Sequence, residues 1–245
     1  LKKLPVLTKD VFKDNYPEKL RAKNWKDYQV LRRSSSGSTG KPIQYLMTRE
    51  GYSFNKACNL RGWYWMGYRL GDKIIKISQN ERKTFEKKIQ DRLDNTLLFS
   101  GEYSRTSLEK FLESFYRFKP QYLRSYPDPL AFIAMILKEK DIRLNGLKSI
   151  NTTGNILFPE IRALIEDRLC VKIFDSYSCE GGPNYFECQT HECYHGSMEY
   201  GISEILDENL NEVKPGEIGR LYTTDLWNFT SPFVRYDSSD IVKKS

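Results

Sequence analysis

The stretch that most restricts the fold lies between Leu147 and Asp175. "LKSINTTG" reads as a short strand ending at Gly154, "FPEIRALIEDRL" as a helix opened by Pro159, and "CVKIFD" as a second strand. Proline suits the first helical turn, where its missing N–H has no intrahelical partner anyway. Strand, crossover helix, strand is the unit from which parallel sheets are built, and such sheets bind ligands in the loops at the carboxyl ends of their strands. Those loops are Thr153-Gly154-Asn155 and Asp175 to Glu180. An α/β fold with a parallel sheet flanked by helices is expected.

The remaining pattern fits that frame. Leu108, Phe111, Leu112, Phe115 and Tyr116 recur at helical spacing and predict an amphipathic helix over Thr106–Lys119, with Thr106 and Glu109 as a capping box. A second helix is expected from Asp128 to Lys138, with Pro120 and Pro127 marking the break between the two. Residues up to Val30 read as a polar, loop-rich lead-in. Beyond Glu199 the pattern changes to hairpins with turn signals at Asp207–Asn211 and Pro215-Gly216, so the later part is expected to be antiparallel. With 245 residues and 39% hydrophobic content, the chain can bury one large core or two small ones.

The apolar run that includes Ala131 to Leu137 is too short to span a bilayer, and "LKKLPVLTKD" lacks the apolar region of a secretory signal. A soluble, cytoplasmic protein with no membrane partner is the expectation. The net charge of +7 is diffuse. Its densest segment, Asp72 to Arg92, interleaves acids with bases as a solvated helix face does, and no nucleic-acid-binding motif accompanies it.

Five cysteines are present. Cys58 and Cys170 stand alone and read as buried apolar fillers. Cys179, Cys188 and Cys193 fall close to His191 and His195, the only histidines. An odd count without a secretion signal argues against a disulfide framework and for metal or redox use. Zinc takes four such ligands in a tetrahedron, although the spacing fits no standard finger and ordinary surface His and buried Cys remain the alternative.

"RRSSSGSTGKP", residues 32 to 42, is the other unusual stretch. It is not a Walker loop, because Gly37 and Gly40 are too close together and Lys41 is followed by Pro42 where Ser or Thr would hold magnesium. Its small hydroxyl residues, glycines and lysine are nevertheless the ingredients of an anion-binding nest.

"SSSGSTGKP" resembles the Ser/Thr/Gly-rich phosphate loop of the adenylate-forming enzymes, the acyl- and aryl-CoA ligase superfamily. "NTTGN" (151–155), "FDSYSCEGG" (174–182) and "YTTDLWNFTSPFVRYDSSD" (222–240) match further landmarks of that superfamily in order, and "FKPQYLRSYPDPL" resembles its "KPxxLxGYPS" connection. The chain is most similar to the phenylacetate–CoA ligase and capsular-polysaccharide (CapK-like) branch.

The resemblance implies the large core of such an enzyme, with residues 1–200 forming an α/β ATP-binding part and residues 201–245 a β-rich part ending at the hinge. It implies ATP, magnesium and coenzyme A as ligands, a small carboxylic acid as substrate, and the AMP-forming joining of that acid to a thiol. Ser35, Ser36, Gly37, Ser38, Thr39, Gly40 and Lys41 match the phosphate loop, with Thr39, Lys41 and Glu180 in catalytic roles. Gly154 and Asn155 match the adenine turn, Asp175, Ser176 and Tyr177 the adenine-holding loop, Glu180 the magnesium glutamate, and Asp240 the ribose aspartate with Arg235 upstream. Core packing for Tyr177, an ion pair for Arg235 and a turn for Asp240 are the competing structural roles. In the resembling branch a Cys and a His matching Cys188 and His195 can bind zinc, which sets them first as ligands, completed by Cys193 and then Cys179 or His191.

Two boxes depart from the family pattern. "YGxTE" becomes "YSCE", and "RTGD" becomes "DSSD". The family continues into a lid carrying a catalytic lysine, so the chain is expected to be the central part of a longer enzyme and inactive by itself. The aromatic residues of "RGWYWMGY" (61–68) are expected either to wall an acyl pocket or to fill core. The alternative overall reading is a catalytically silent, zinc-stabilised interaction module of the same fold, in capsular polysaccharide biosynthesis.

Overall fold

The computed structural model describes residues 1–35, 42–78, 84–99 and 104–245. Along the chain run α1 (Lys9–Asn15), β1 (Val30–Ser34), β2 (Gln44–Thr48), α2 (Arg49–Trp65) and β3 (Ile74–Ile77). Then come α3 (Phe85–Leu93), β4 (Thr96–Phe99), α4 (Arg105–Phe118), β5 (Tyr122–Ser125), α5 (Pro127–Glu139) and β6 (Ser149–Thr153). The chain continues with α6 (Pro159–Leu169), β7 (Ile173–Ser178), β8 (Asn184–Glu187), β9 (Tyr194–Gly196), β10 (Gly201–Leu206), β11 (Ile218–Asp225) and β12 (Tyr236–Lys243). Among the described residues no helix is long and apolar enough to cross a membrane.

The architecture is mixed α/β, as expected, and divides into two compact units: Leu1–Leu60 with Ser178–Tyr185 and His195–Ser245, and Arg61–Tyr177 with Phe186–Tyr194.

The second unit holds the parallel strands in the order β4-β3-β5-β6-β7, an order continued by β8 and β9. The β6–α6–β7 crossover is the one read from the sequence, and Pro159 does open α6. Its aliphatic core joins Ile75, Leu123, Ile150 and Ile173 from alternate strand positions with Phe111 and Phe115 of α4, Leu130 and Leu137 of α5, and Ile165 and Leu169 of α6. Full burial of each such side chain stabilises by about 1.5–3 kcal/mol. The α4 cap differs from expectation. Ser104, not Thr106, is the N-cap, and its hydroxyl accepts from Ser107 N at 3.1 Å. Cys170 also differs, being an exposed left-handed C-cap of α6 with φ +52°, whereas Cys58 is buried as expected.

In the first unit β10, β11 and β12 form an antiparallel sheet, and β1 pairs with β2 as a hairpin. The turn at Asp207 is held by its own carboxylate, which accepts from Asn209 N and Asn211 N at 2.9 and 2.8 Å, the Asx behaviour that favours such residues in turns. The lead-in contains α1, whose Phe12 is fully buried, with Phe233 stacked on it at 4.8 Å.

Candidate functional site

Glu180 is the best-defined feature of the first unit. It follows β7 and is itself followed by two glycines that the packing requires. A Cβ on Gly181 would lie 2.4 Å from Phe233 Cβ, and one on Gly182 would lie 2.7 Å from Thr223 Cγ2. The turn therefore sits directly against β11 and Phe233, and its end carries the Glu180 carboxylate. Tyr45 of β2, almost fully buried, donates its hydroxyl to Glu180 Oε2. Burial, and then the Glu180 charge, raise the Tyr45 pKa far above the ordinary phenol value, so the phenol stays protonated and remains the donor. Burial followed by the same carboxylate pushes Tyr236 up to about 12.

The hairpin that supplies Tyr45 is also the stem of the Ser/Gly stretch. Its register runs from Val30↔Thr48 to Ser34↔Gln44, and Ser35 adds another step: its N–H donates to Ile43 O, while Ile43 N donates to Ser35 Oγ, both at 2.9 Å. The rest of the expected phosphate loop, Ser36, Gly37, Ser38, Thr39, Gly40 and Lys41, lies outside the described residues.

Asp240 sits on a distortion of β12. Tyr222 pairs with Asp237 and Arg220 with Ile241, so Ser238, Ser239 and Asp240 together face the single residue Leu221 of β11. Ser238 Oγ donates to Leu221 O at 2.9 Å, Ser239 N donates to Asp237 Oδ1 at 2.8 Å, and Ser239 adopts φ +66°. Bulges of this kind re-aim side chains, and Asp240 is exposed. Arg235, by contrast, is 2% exposed. Its guanidinium donates to Glu204 Oε2 at 3.2 Å, Leu4 O at 2.7 Å and Lys2 O at 3.3 Å. That is the structural ion pair of the two roles weighed from sequence.

In the second unit the expected adenine residues behave differently from one another. Asp175 is buried. It accepts from the Thr152 hydroxyl and, at 2.5 Å, from the Tyr194 hydroxyl, while its N–H donates to Glu187 Oε2 at 2.9 Å. Burial raises its pKa. Ser176 Oγ donates to Thr152 O at 2.8 Å. Both residues thus join strands rather than project outward, whereas Tyr177 is half-buried. Gly154 and Asn155 are exposed past the carboxyl end of β6. Gly154 has φ +89° and Tyr126 Cε1 lies 2.2 Å from the position of a Cβ, and Asn155 Nδ2 donates to Asp128 Oδ2 at 2.5 Å.

The cysteine- and histidine-bearing segment is tied into the same buried carboxylates. Glu187 takes Arg162 at 2.5 Å and His191 Nδ1 at 3.3 Å, and the His191 ring packs on Phe174. Cys188 Sγ lies 3.3 Å from Thr190 Oγ1. Among the described residues no three His, Cys, Asp or Glu side chains converge to hold a metal ion. Cys179, Cys188, Cys193, His195 and His191 therefore do not make the expected tetrahedral set. His191 is directed to Glu187 and Phe174, and Cys188 to Thr190, rather than to one common centre.

Sequence reasoning missed Tyr45, Tyr194 and Asp225. Asp225 is buried at the end of β11, where it accepts from Trp227 N at 2.7 Å, Asn228 N at 3.0 Å and Tyr200 OH at 3.0 Å. Burial raises its pKa. Only its place within "YTTDLWN" could have drawn attention to it.

No family model and no curated protein sequence matches the chain. Solved structures do. A 2-hydroxyisobutyryl-CoA ligase in complex with 2-HIB-AMP and CoA superposes with a TM-score of 0.73 at 17% identity, over 99% of this chain and 55% of that one. The fold is that of solved acyl-CoA ligases. A long-chain-fatty-acid-CoA ligase from Archaeoglobus fulgidus matches at TM-score 0.62 and 13% identity, over 84% of this chain and 44% of that one. An anthranilate CoA ligase in complex with anthranoyl-AMP matches at 0.59 and 18%, over 83% and 40%. The chain thus spans about half the length of these enzymes.

Proposed function

We propose that this chain is the nucleotide-binding part of an AMP-forming acid–thiol ligase, of the phenylacetate–CoA ligase-like branch. The observation that carries the reading is the conjunction in the first unit of Glu180, held by Tyr45 on the very hairpin that bears the Ser/Gly stretch, with an exposed aspartate on the bulge of β12. The acyl-CoA-ligase fold supports it.

In the reaction a carboxylate oxygen attacks the α-phosphorus of ATP and the bond to pyrophosphate breaks. A thiolate, that of coenzyme A, then attacks the acyl carbon and AMP leaves. The Ser35–Lys41 stretch grips phosphate oxygens through small hydroxyls, backbone N–H groups and one lysine. Asp240 accepts two hydrogen bonds from the ribose diol. Glu180 fits a magnesium ion: its Oε2 is taken by Tyr45, Oε1 lies outside that bond, and magnesium is commonly bound by one or two carboxylates together with phosphate oxygens. Bound there, the ion would neutralise phosphate charge. Tyr45 fixes the rotamer of Glu180, which is positioning rather than chemistry.

Calorimetry of the full chain with ATP and magnesium tests this. Binding that is lost in Asp240→Ala and weakened at least tenfold in Glu180→Gln is the expected outcome. Failure of the parent chain to bind, or Asp240→Ala binding as the parent does, refutes it.

A further inference from the structure

Tyr52 of α2 holds two cations on one ring. The guanidinium carbon of Arg33 lies 5.5 Å, and Lys56 Nζ 4.8 Å, from its centroid. All three residues belong to the first unit. Lys56 follows Tyr52 by one helical turn, which brings the two side chains together on one face of α2. Arg33 comes from β1, where it is the register partner of Tyr45. Partners in an antiparallel pair project to the same side of a hairpin, so Arg33 stands on the side from which Tyr45 reaches Glu180. Tyr52 packs against the core that contains Tyr45. After burial and Glu180, Arg33 is the next influence on the Tyr45 hydroxyl, and it opposes the rise in pKa. Its charge is therefore felt at the Tyr45–Glu180 pair.

Arg33 and Lys56 are exposed, and among the described residues neither has a carboxylate partner. A ring face attracts a cation but satisfies none of its N–H groups. Two like charges on one ring also repel each other, a cost that an anion received by both removes. The ring restrains both long side chains in advance, so less freedom is lost when they bind.

We propose that Arg33 and Lys56, gathered on Tyr52, bind the terminal phosphates of the nucleotide and hold the pyrophosphate as it leaves. The inference rests on the ligase reading for the identity of its anion, and adds two residues outside the matched loop. When the carboxylate oxygen attacks the α-phosphorus, the bond to the bridging oxygen breaks and its electron pair stays with pyrophosphate. That product carries more negative charge than one magnesium ion at Glu180 offsets. Fixed positive charge beside it stabilises the departing group, and the planar fork of an arginine matches phosphate oxygens in geometry and charge. Arg33 also lies two residues before Ser35, the last described step of the hairpin stem.

Calorimetric titration of the full chain with pyrophosphate, ATP and AMP, each with magnesium and at fixed ionic strength, tests the pair. Arg33→Gln and Lys56→Gln each weaken pyrophosphate and ATP at least about fivefold, the loss of a charge-assisted contact. Both leave AMP as the parent binds it, because AMP lacks the phosphates concerned. Arg33→Lys keeps a cation for the ring and retains more pyrophosphate affinity than Arg33→Gln. A smaller loss of pyrophosphate affinity in either glutamine variant, or AMP weakened as much as ATP, overturns the inference. The parent chain separates this outcome from failure of the ligase reading. Pyrophosphate binding that depends on Arg33 and Lys56, in a chain that binds neither ATP nor AMP, refutes the ligase reading and leaves the cation pair. ATP and AMP binding with both variants indifferent to pyrophosphate removes the pair alone, and binding of none of the three overturns both.

Discussion

Replacing Asp175 by alanine separates a structural hub from a ligand contact. The substitution deletes the acceptor of two hydroxyl donors, Thr152 and Tyr194. Thr152 is fully buried, so its hydroxyl is stranded, at a cost of about 1–3 kcal/mol. Tyr194 is 43% exposed and turns to water, losing only the net worth of a hydrogen bond, about 1 kcal/mol. Together these give a loss of about 2–4 kcal/mol, readable as a lower midpoint in urea at unchanged slope. Asp175→Asn keeps the shape and an acceptor, so it costs less than about 1.5 kcal/mol. The pH dependence carries the opposite sign to that of an ion-paired acid. Burial raises the folded pKa of Asp175 above its ordinary 3.8, so between the unfolded and folded values the native state holds more protons than the unfolded chain. Stability therefore falls as pH rises through that window, and Asp175→Asn flattens that part of the slope. The reasoning is refuted if Asp175→Ala costs less than about 1 kcal/mol, or if Asn and Ala cost the same. A role in holding adenine predicts instead a loss of ATP affinity at unchanged stability.

Gly154→Ala forces a Cβ onto the ring of Tyr126 from a φ of +89°; a loss of about 1–3 kcal/mol is expected, partly restored by Tyr126→Ala, and thermal melts of the single and double variants check it. Arg235→Met leaves Glu204 and the carbonyls of Lys2 and Leu4 without their donor, which should cost about 3–5 kcal/mol; a stable variant with impaired nucleotide binding would instead return Arg235 to the ligand site.

What could be read from the sequence follows the range over which each signal acts. The β6–α6–β7 crossover and α4 were legible because periodicity and Pro159 are local, and the α4 cap was misplaced by only two residues because Ser104 and Thr106 carry equivalent hydroxyls. The lead-in helix α1 was missed because it buries one residue, Phe12, too few to set a period. β3 was missed because Lys73 and Lys76 flank and interrupt its isoleucines, so charge spacing outweighed the apolar alternation that burial then imposed.

The site divides the same way. Motif order brought Glu180, Asp175 and Asp240 to attention, but motif order conveys an acid's identity and not its surroundings. Glu180 meets a tyrosine 135 positions away, and Asp175 meets one 19 positions away. Asp225 meets Tyr200 across 25 positions. In each case a phenol donates to the carboxylate, and how many of the acid's oxygens are committed suits it to its role. Asp175 and Asp225 have both carboxylate oxygens committed to named donors, which suits them to hold strands and turns. Glu180 has one committed, and Asp240 stands exposed on a bulge where the sequence departs from "RTGD", held by Ser238 Oγ on Leu221 O and by Ser239 N on Asp237 Oδ1. The departure of "DSSD" from "RTGD" falls on the bulge residues, and an exposed carboxylate still stands at Asp240, as the ribose role proposed for it needs.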